Sequence, residues 1–367
     1  YTLALGLLWC SVALWIAMND SPARRRWAVF ALIATVMWVC HLVGWALLCI
    51  AAGSQEFIRQ RERNGGLIPA AIASIGPLSC LLIPWLAKIL IFQSSAGTGE
   101  TSGFFLMFHK FDEVSQVLAD RWYPFDVASV VFVGALIVAS WLPRWTRLNR
   151  GMMLAAVITA ACVVVVPQRL LGSFFADQRL IEPTLLFALL AIGLSSRCPA
   201  RLCHALFVAA LLFAGGRLAG NAVSLSQLGG QSAEDLQVLE ALPRNAQLVT
   251  FRAIVCPLPW TFDRWTHLAG YALERRHAFS NDQWDVPGAQ LLRVHNPAAG
   301  PFEVDESQLG YEAPCNGKAS VLTEADRVPA SIPYLWIIWS GAPQPLSQWQ
   351  PLARRGRSVL YRRRAPI

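Results

Sequence analysis

The sequence predicts an α-helical polytopic membrane domain over residues 1–222, followed by a small α/β extracytoplasmic domain over residues 223–367. Hydrophobic residues make up 55% of the 367 residues, and the mean hydropathy is +0.42. Charged residues make up only 15%, against about 25% in ordinary soluble domains. The long apolar runs lie in the first domain, which has 17 Lys and Arg against 10 Asp and Glu. This composition excludes a disordered chain and argues against a wholly soluble protein.

Apolar segments predict the membrane crossings of the first domain. A helix needs about 20 apolar residues to cross the ~30 Å hydrocarbon core of a bilayer. Seven segments approach this length when their flanks are included: 1–18, 27–51, 67–92, 125–142, 151–166, 181–195 and 203–222. The chain starts at Tyr1, without Met, inside the first of these runs. We therefore expect a fragment or a processed chain whose upstream part is missing.

The arginines of the short loops predict the orientation. Alternate loops carry eight of them and are expected to be cytoplasmic: 52–66, 143–150 and 196–202. The intervening loops, 93–124 and 167–180, carry four Lys and Arg over a longer stretch. This places the C-terminal domain on the far side of the membrane, in the periplasm or at the cell exterior. The loop with Arg24, Arg25 and Arg26 breaks the alternation, so the number of passes before Leu67 stays open.

Periodicity predicts a mixed α/β arrangement in the second domain. Leu236, Leu239 and Leu242 fall on one face of a helix over 234–242. A second helix is expected over 265–276, and strands are expected at 247–251, 290–295, 334–340 and 358–363. In an oxidising compartment, Cys256 and Cys315 could form one disulfide. Two unpaired buried thiols are the equal alternative.

Charged groups in the predicted outer loop 167–180 are candidate ligands for a phosphate. Arg169 and Arg179 flank Asp177 in this loop, and Arg217 lies near the outer end of the last apolar segment. The guanidinium group has a rigid fork of donors that suits phosphate oxygens. The alternative, which position alone favours, is that Arg179 pairs with Asp177 and both only end helices.

The longer outer loop 93–124 supplies candidate acids and bases. Its polar residues include His109, Asp112 and Glu113, and residues 111–121 are predicted to form a helix on the membrane surface. A solvated amphipathic helix is the alternative for each of them. His267, in the second domain, is a further candidate for contact with a substrate. The chain has no phosphate-binding P-loop, no dinucleotide fingerprint and no HExxH or GxSxG motif, so catalysis of the soluble type is unsupported.

The chain resembles the integral-membrane glycosyltransferases of the GT-C superfamily, of the bacterial and uncharacterised kind. The resemblance depends on Leu171-Gly172-Ser173-Phe174-Phe175-Ala176-Asp177-Gln178-Arg179-Leu180, on the segment HLVGW at 41–45, and on 265–276 with its following strand. It extends over most of the chain through loosely defined motifs. It implies transfer of a sugar from a polyprenyl-phosphate donor to a glycan or lipid acceptor in the cell envelope. The usual catalytic carboxylate of these enzymes lies in the first outer loop, which would precede Tyr1.

By this resemblance, Asp112 and Asp177 are the candidate catalytic residues, and Arg169, Arg179, Arg217 and His267 are the candidate substrate ligands. No cofactor is expected; outer-loop carboxylates would accept a divalent metal, but no ligand spacing indicates one. The expected partners are the lipid bilayer, the lipid-linked sugar and the acceptor, and no nucleic acid is expected. The alternative is a non-enzymatic membrane subunit of a polysaccharide, envelope-assembly or export system.

Overall fold

The computed structural model describes residues 1–91, 100–141, 145–256, 260, 263–285, 292–315 and 317–365. The chain forms two compact units. The first contains residues 1–118 and 127–209, and the second contains residues 119–126 and 210–367. Several predicted positions lie outside the described residues, namely 93–99 of the outer loop, 143–144 of the inner loop and 290–291 of a predicted strand.

Helices dominate the first half of the chain. In order they are α1 (Thr2–Ala17), α2 (Ala23–Cys40), α3 (Leu42–Asn64), α4 (Leu67–Leu78), α5 (Ile83–Ile91), α6 (Met107–Gln116), α7 (Tyr123–Ala139), α8 (Arg150–Val165) and α9 (Gln178–Leu190). A 3₁₀ turn, Ser79–Leu82, joins α4 to α5. Two short antiparallel strands, β1 (Thr146–Leu148) and β2 (Ile192–Leu194), pair with each other.

The core of the first unit is apolar but contains a charged group of two arginines and a glutamate. Buried side chains of α1, α2, α3, α8 and α9 pack together, including Trp15 and Phe30. Among them, Arg26 reaches the fully buried Glu56 at 3.3 Å and lies 3.9 Å over the Trp15 ring. Arg59 donates to the other oxygen of Glu56 at 2.5 Å. Both carboxylate oxygens are therefore occupied, as a buried charge requires.

The predicted polytopic helical membrane domain is wrong. Among the described residues, only Leu67–Leu90 and Ala200–Ala241 are long and apolar enough to cross a membrane. Helices α1, α7 and α8 have 16, 17 and 16 residues, fewer than the roughly 20 that a crossing takes. Helix α2 begins with three arginines, and α3 ends in a polar half. The sequence prediction took the apolar runs as crossings and left only the passes before Leu67 open, whereas α1, α2, α3, α8 and α9 cover one shared core.

The two long apolar helices differ from core helices in their exposure. In Leu67–Leu90, 28% of the most apolar 18-residue stretch is buried. In the corresponding stretch of Ala200–Ala241, none is buried. Large side chains such as Ile72, Leu212 and Leu218 are 64–73% exposed. Packing within the described structure therefore leaves the apolar faces of these helices exposed.

The second unit is built on a five-stranded mixed sheet. Its elements in order are α10 (Ala200–Asp235), which begins in the first unit, then β3 (Leu248–Ile254), α11 (Gly270–Arg276), β4 (Leu309–Tyr311), α12 (Val321–Arg327), β5 (Tyr334–Ile338), β6 (Trp349–Arg355) and β7 (Ser358–Arg363). The strand order is β4-β3-β5-β7-β6, with β3 parallel to β4 and β5, and β7 antiparallel to β5 and β6.

Both faces of this sheet are covered. Alternate residues of the central strands point into two apolar clusters, as the two-residue period of a strand requires. Phe251 and Ile337 belong to one cluster, and Trp336 and Leu360 belong to the other. A disulfide joins Cys256 and Cys315, so the structure adopts the paired alternative. The predicted strand at 290–295 is wrong over its described part, because residues 292–295 have no regular structure.

Replacing Glu56 by Gln should destabilise the first unit by about 3–5 kcal/mol, because Arg26 would stay buried without its counter-charge. Burial alone would raise the pKa of Glu56, but hydrogen bonds from Arg59 and Gln60 hold it below its ordinary value. The ion-pair contribution is therefore present above the ordinary pKa and is lost as the pH falls through the lowered one. The midpoint of thermal unfolding of the purified protein, measured from pH 7 to pH 3, tests this loss of stability.

The matched control is Glu62→Gln, because the Glu62 side chain is 62% exposed and lies 4.0 Å from Arg150. Glu62→Gln should leave the midpoint of thermal unfolding nearly unchanged. Equal midpoints for the Glu56 and Glu62 variants at pH 7 would contradict a stabilising role for the buried group.

Candidate functional site

Two loops that are far apart in the sequence lie side by side in the first unit. Ser102 and Arg169 exchange backbone hydrogen bonds of 3.0 Å in an antiparallel bridge. Beside it, the Gln168 N–H donates to the Gly103 carbonyl at 3.2 Å, and the Gly172 N–H donates to the Glu100 carbonyl at 2.9 Å. The described parts of both predicted outer loops are thereby brought together.

A buried ammonium group fixes this arrangement. The Lys110 Nζ donates to the Asp177 Oδ2 at 2.6 Å and to the carbonyls of Val163 and Val166 at 2.8 Å each. The side chains of Lys110 and Asp177 are only 4% and 3% exposed. Three donors thus meet three acceptors, from the end of α8 and from the residue that precedes α9. Lys110 therefore ties α6 to both helices.

Asp177, a predicted catalytic residue, has both carboxylate oxygens engaged. Besides the bond to Lys110, its Oδ1 accepts from the Gln178 N–H at 3.0 Å and caps α9. Its counter-charge is Lys110 rather than Arg179. Asp112, the other predicted catalytic residue, is exposed, and its carboxylate accepts from the side chain of Gln116 at 2.7 Å.

An imidazole–carboxyl pair lies on α6 next to this ammonium. The His109 Nε2 is 3.3 Å from the Glu113 Oε1 and 2.9 Å from the Gln168 side-chain amide. The other oxygen of Glu113 accepts from the side chain of Gln178. Burial raises the pKa of Glu113, and the charges of Asp112 and Asp177 add to this rise. The His109 charge and the hydrogen bond from Gln178 oppose it, and the net shift of the pKa is upward. Glu113 therefore holds a proton more readily than an ordinary carboxyl group does.

The i, i+4 spacing of His109 and Glu113 is a signal that sequence reasoning missed. Residues four apart lie on one face of a helix, so the pair could have been selected from the outer loop in place of Asp112. With side-chain exposures of 31% and 12%, the two groups are partly shielded and partly open to solvent. Such a pair can accept or deliver a proton.

Two predicted phosphate ligands lie in the second of these loops. Arg169 forms an ion pair with Glu100 and stacks 3.7 Å over the Phe174 ring. Arg179 donates to the Ser173 hydroxyl at 2.8 Å. No carboxylate among the described residues lies within ion-pairing distance of Arg179. Burial lowers its pKa, which reflects a cation that lacks full hydration or a counter-charge.

The other two predicted ligands belong to the second unit. Arg217 forms an ion pair of 2.6 Å with the buried Asp126, which also accepts from the indole of Trp260 and from two backbone N–H groups. Its guanidinium is thus engaged in holding a buried carboxylate. His267 is exposed, and its ring lies 6.5 Å from that of Trp284. As the sequence also places them, only Arg169 and Arg179 share a loop.

The comparisons with known proteins identify no relative. No protein-family model matches the chain, and neither a curated protein nor a solved structure does. Among the described residues, no three His, Cys, Asp or Glu side chains converge in a way that could hold a metal ion. The chemistry of this site therefore depends on the residues described above.

Replacing Lys110 by Met should destabilise the first unit by about 3–5 kcal/mol, because Asp177 would be left as an unpaired buried charge. The double variant Lys110→Met/Asp177→Asn should recover part of this loss, since no charge then remains uncompensated. Urea unfolding of the single and double variants gives the coupling energy. Strict additivity of the two single changes would contradict a mutual dependence of Lys110 and Asp177.

Proposed function

We propose that the chain is a membrane-associated transferase that moves a sugar from a polyprenyl-phosphate donor to an acceptor of the bacterial cell envelope. The observation that carries the proposal is that the two bridged loops and α6 contain an acid–base pair and a partly buried arginine with no carboxylate partner among the described residues. His109 and Glu113 form the pair, Gln178 binds Glu113, and Arg179 follows Gln178 directly in the chain.

Each of these groups has its own role in the proposed reaction. Glu113 accepts the proton of the acceptor hydroxyl as its oxygen bonds to the anomeric carbon of the sugar. His109 orients the carboxyl group, which becomes neutral when it takes the proton. The bond from the anomeric carbon to the phosphate oxygen breaks, and the electron pair leaves with the phosphate. Arg179 stabilises the negative charge on the leaving group, where a partly buried guanidinium has more effect than in water.

Two further features support the membrane and envelope setting. A polyprenyl-linked donor is confined to a bilayer, and the exposed apolar helices Leu67–Leu90 and Ala200–Ala241 suit association with one. The Cys256–Cys315 disulfide suits an oxidising compartment for the second unit, as expected of a protein that acts on an extracytoplasmic acceptor.

Membranes containing the protein should transfer label from one member of a panel of radiolabelled polyprenyl-phosphate sugars into a lipid or polymer. Arg179→Ala should lower this rate on the order of a hundredfold by removing the stabilising cation. Arg25→Ala is the matched control, because Arg25 is an exposed arginine of the same unit. Donor binding without transfer would instead indicate the non-enzymatic subunit, and absence of both would overturn the proposal.

Glu113→Gln should also lower the rate on the order of a hundredfold or more. In the unchanged protein, activity should fall as the pH drops through the pKa of Glu113. Because that pKa is raised, the fall should occur above the ordinary carboxyl value of 4.5. The comparison is with Asp112→Asn, the neighbouring carboxylate of α6. A large loss with Asp112→Asn and none with Glu113→Gln would place the base at Asp112.

A further inference from the structure

Three large apolar residues around the candidate site have a backbone conformation that suits glycine. Phe105, Leu171 and Phe175 have φ values of 54°, 51° and 56°. Positive φ is unfavourable for bulky L-residues, and it persists where the surrounding structure enforces it. The three side chains are also 61%, 60% and 45% exposed. Backbone strain here therefore goes together with apolar surface turned outward, which is unfavourable in water as well.

These residues and three more exposed rings lie on the two bridged loops and on α6, and we call this set the Phe patch. Its members are Phe104, Phe105, Phe108, Phe111, Leu171 and Phe175. Phe108 and Phe111 of α6 are 94% and 69% exposed, whereas Lys110 between them is buried in its ion pair. Lys110 thus fixes the rotation of α6, and the hydrogen bonds between the two loops hold the rest of the patch. The outward direction of the rings is enforced by the fold.

The chain leads into this patch from an apolar helix. The Leu67–Leu90 helix ends ten residues before Glu100, the first described residue of the loop. Leu86, Ile89 and Leu90, near the end of that helix, are 46%, 54% and 81% exposed. The exposed apolar end of this helix thus precedes the loop by about ten residues in the sequence.

The composition of the patch fits the boundary between headgroups and acyl chains. Aromatic side chains are favoured at this depth, and an amphipathic helix can lie there with its apolar face buried. The Arg169 guanidinium, which covers the Phe174 ring and pairs with Glu100, lies in the same loop as Leu171 and Phe175. We propose that the Phe patch inserts into the headgroup–acyl boundary of a phospholipid bilayer.

Insertion of the Phe patch sets the depth of the candidate site relative to the bilayer. His109 lies between Phe108 and Lys110 on α6, so an inserted patch places the His109–Glu113 pair at the level of the lipid phosphates. A polyprenyl-phosphate donor has its phosphate at this depth. That consequence rests on the proposed function, whereas the insertion itself does not.

Photocrosslinking tests the insertion without any sugar donor. The full chain, with Phe108→p-benzoylphenylalanine, is reconstituted into vesicles of phosphatidylethanolamine and radiolabelled phosphatidylglycerol and then irradiated. Leu352→p-benzoylphenylalanine is the matched control, because Leu352 is 45% exposed on β6, outside the patch. Phe111→p-benzoylphenylalanine provides a second reporter if the first variant fails to fold, as judged by resistance to protease.

Several-fold more phospholipid adduct at position 108 or 111 than at 352 is the expected result. An adduct no greater than that of the control, or one formed with a polypeptide instead of lipid, would overturn the insertion. Because no donor is present, lipid adducts together with an inactive protein would overturn only the transferase. Transfer of sugar without lipid adducts would overturn only the insertion.

Discussion

A buried ammonium group must find oxygen acceptors, and the arrangement of the first unit's loops follows from the three that Lys110 finds. They come from Val163, Val166 and Asp177, two at the end of one helix and one at the start of the next. Fixing Lys110 fixes α6, and with it the pair formed by His109 and Glu113. The candidate site thus depends on an ion pair that holds its acid–base pair in place. A residue of this kind provides the precise support that a catalytic group needs.

In the second unit, the buried charges that need hydrogen-bond partners are carboxylates instead of an ammonium group. Asp126 is 1% exposed and binds Arg217, Trp260 and two backbone amides. Asp235, at the end of α10, is equally buried and accepts from the Trp265 indole and from the Arg357 N–H. Each carboxylate ties a helix to segments distant in sequence. Both oxygens of each of these two carboxylates have partners, which fits a structural role for Asp126 and Asp235.

The sequence predicted those parts of the fold that local patterns encode. β5 and β7 are apolar runs next to proline or glycine, and both were expected close to their observed positions. β6 was missed because it is an edge strand that contains Pro351 and exposes most of its residues, so it lacks a strand's apolar pattern. Apolar content alone could not separate a crossing from a core helix, since both are rich in the same residues. The pairing of Lys110 with Asp177 spans 67 residues, and no local pattern predicts it.

The Cys256–Cys315 bond has a consequence for where this protein can be produced intact. β4 is an edge strand of three residues, and three register positions join it to β3. The disulfide links the segments that follow these two strands, so it restrains a strand that few hydrogen bonds hold. In a reducing cytosol that restraint is absent. Loss of β4 would then uncover the edge of β3, a buried apolar strand of the kind that recruits other chains. Production in a reducing host therefore favours aggregated material, whereas export to an oxidising compartment protects the sheet.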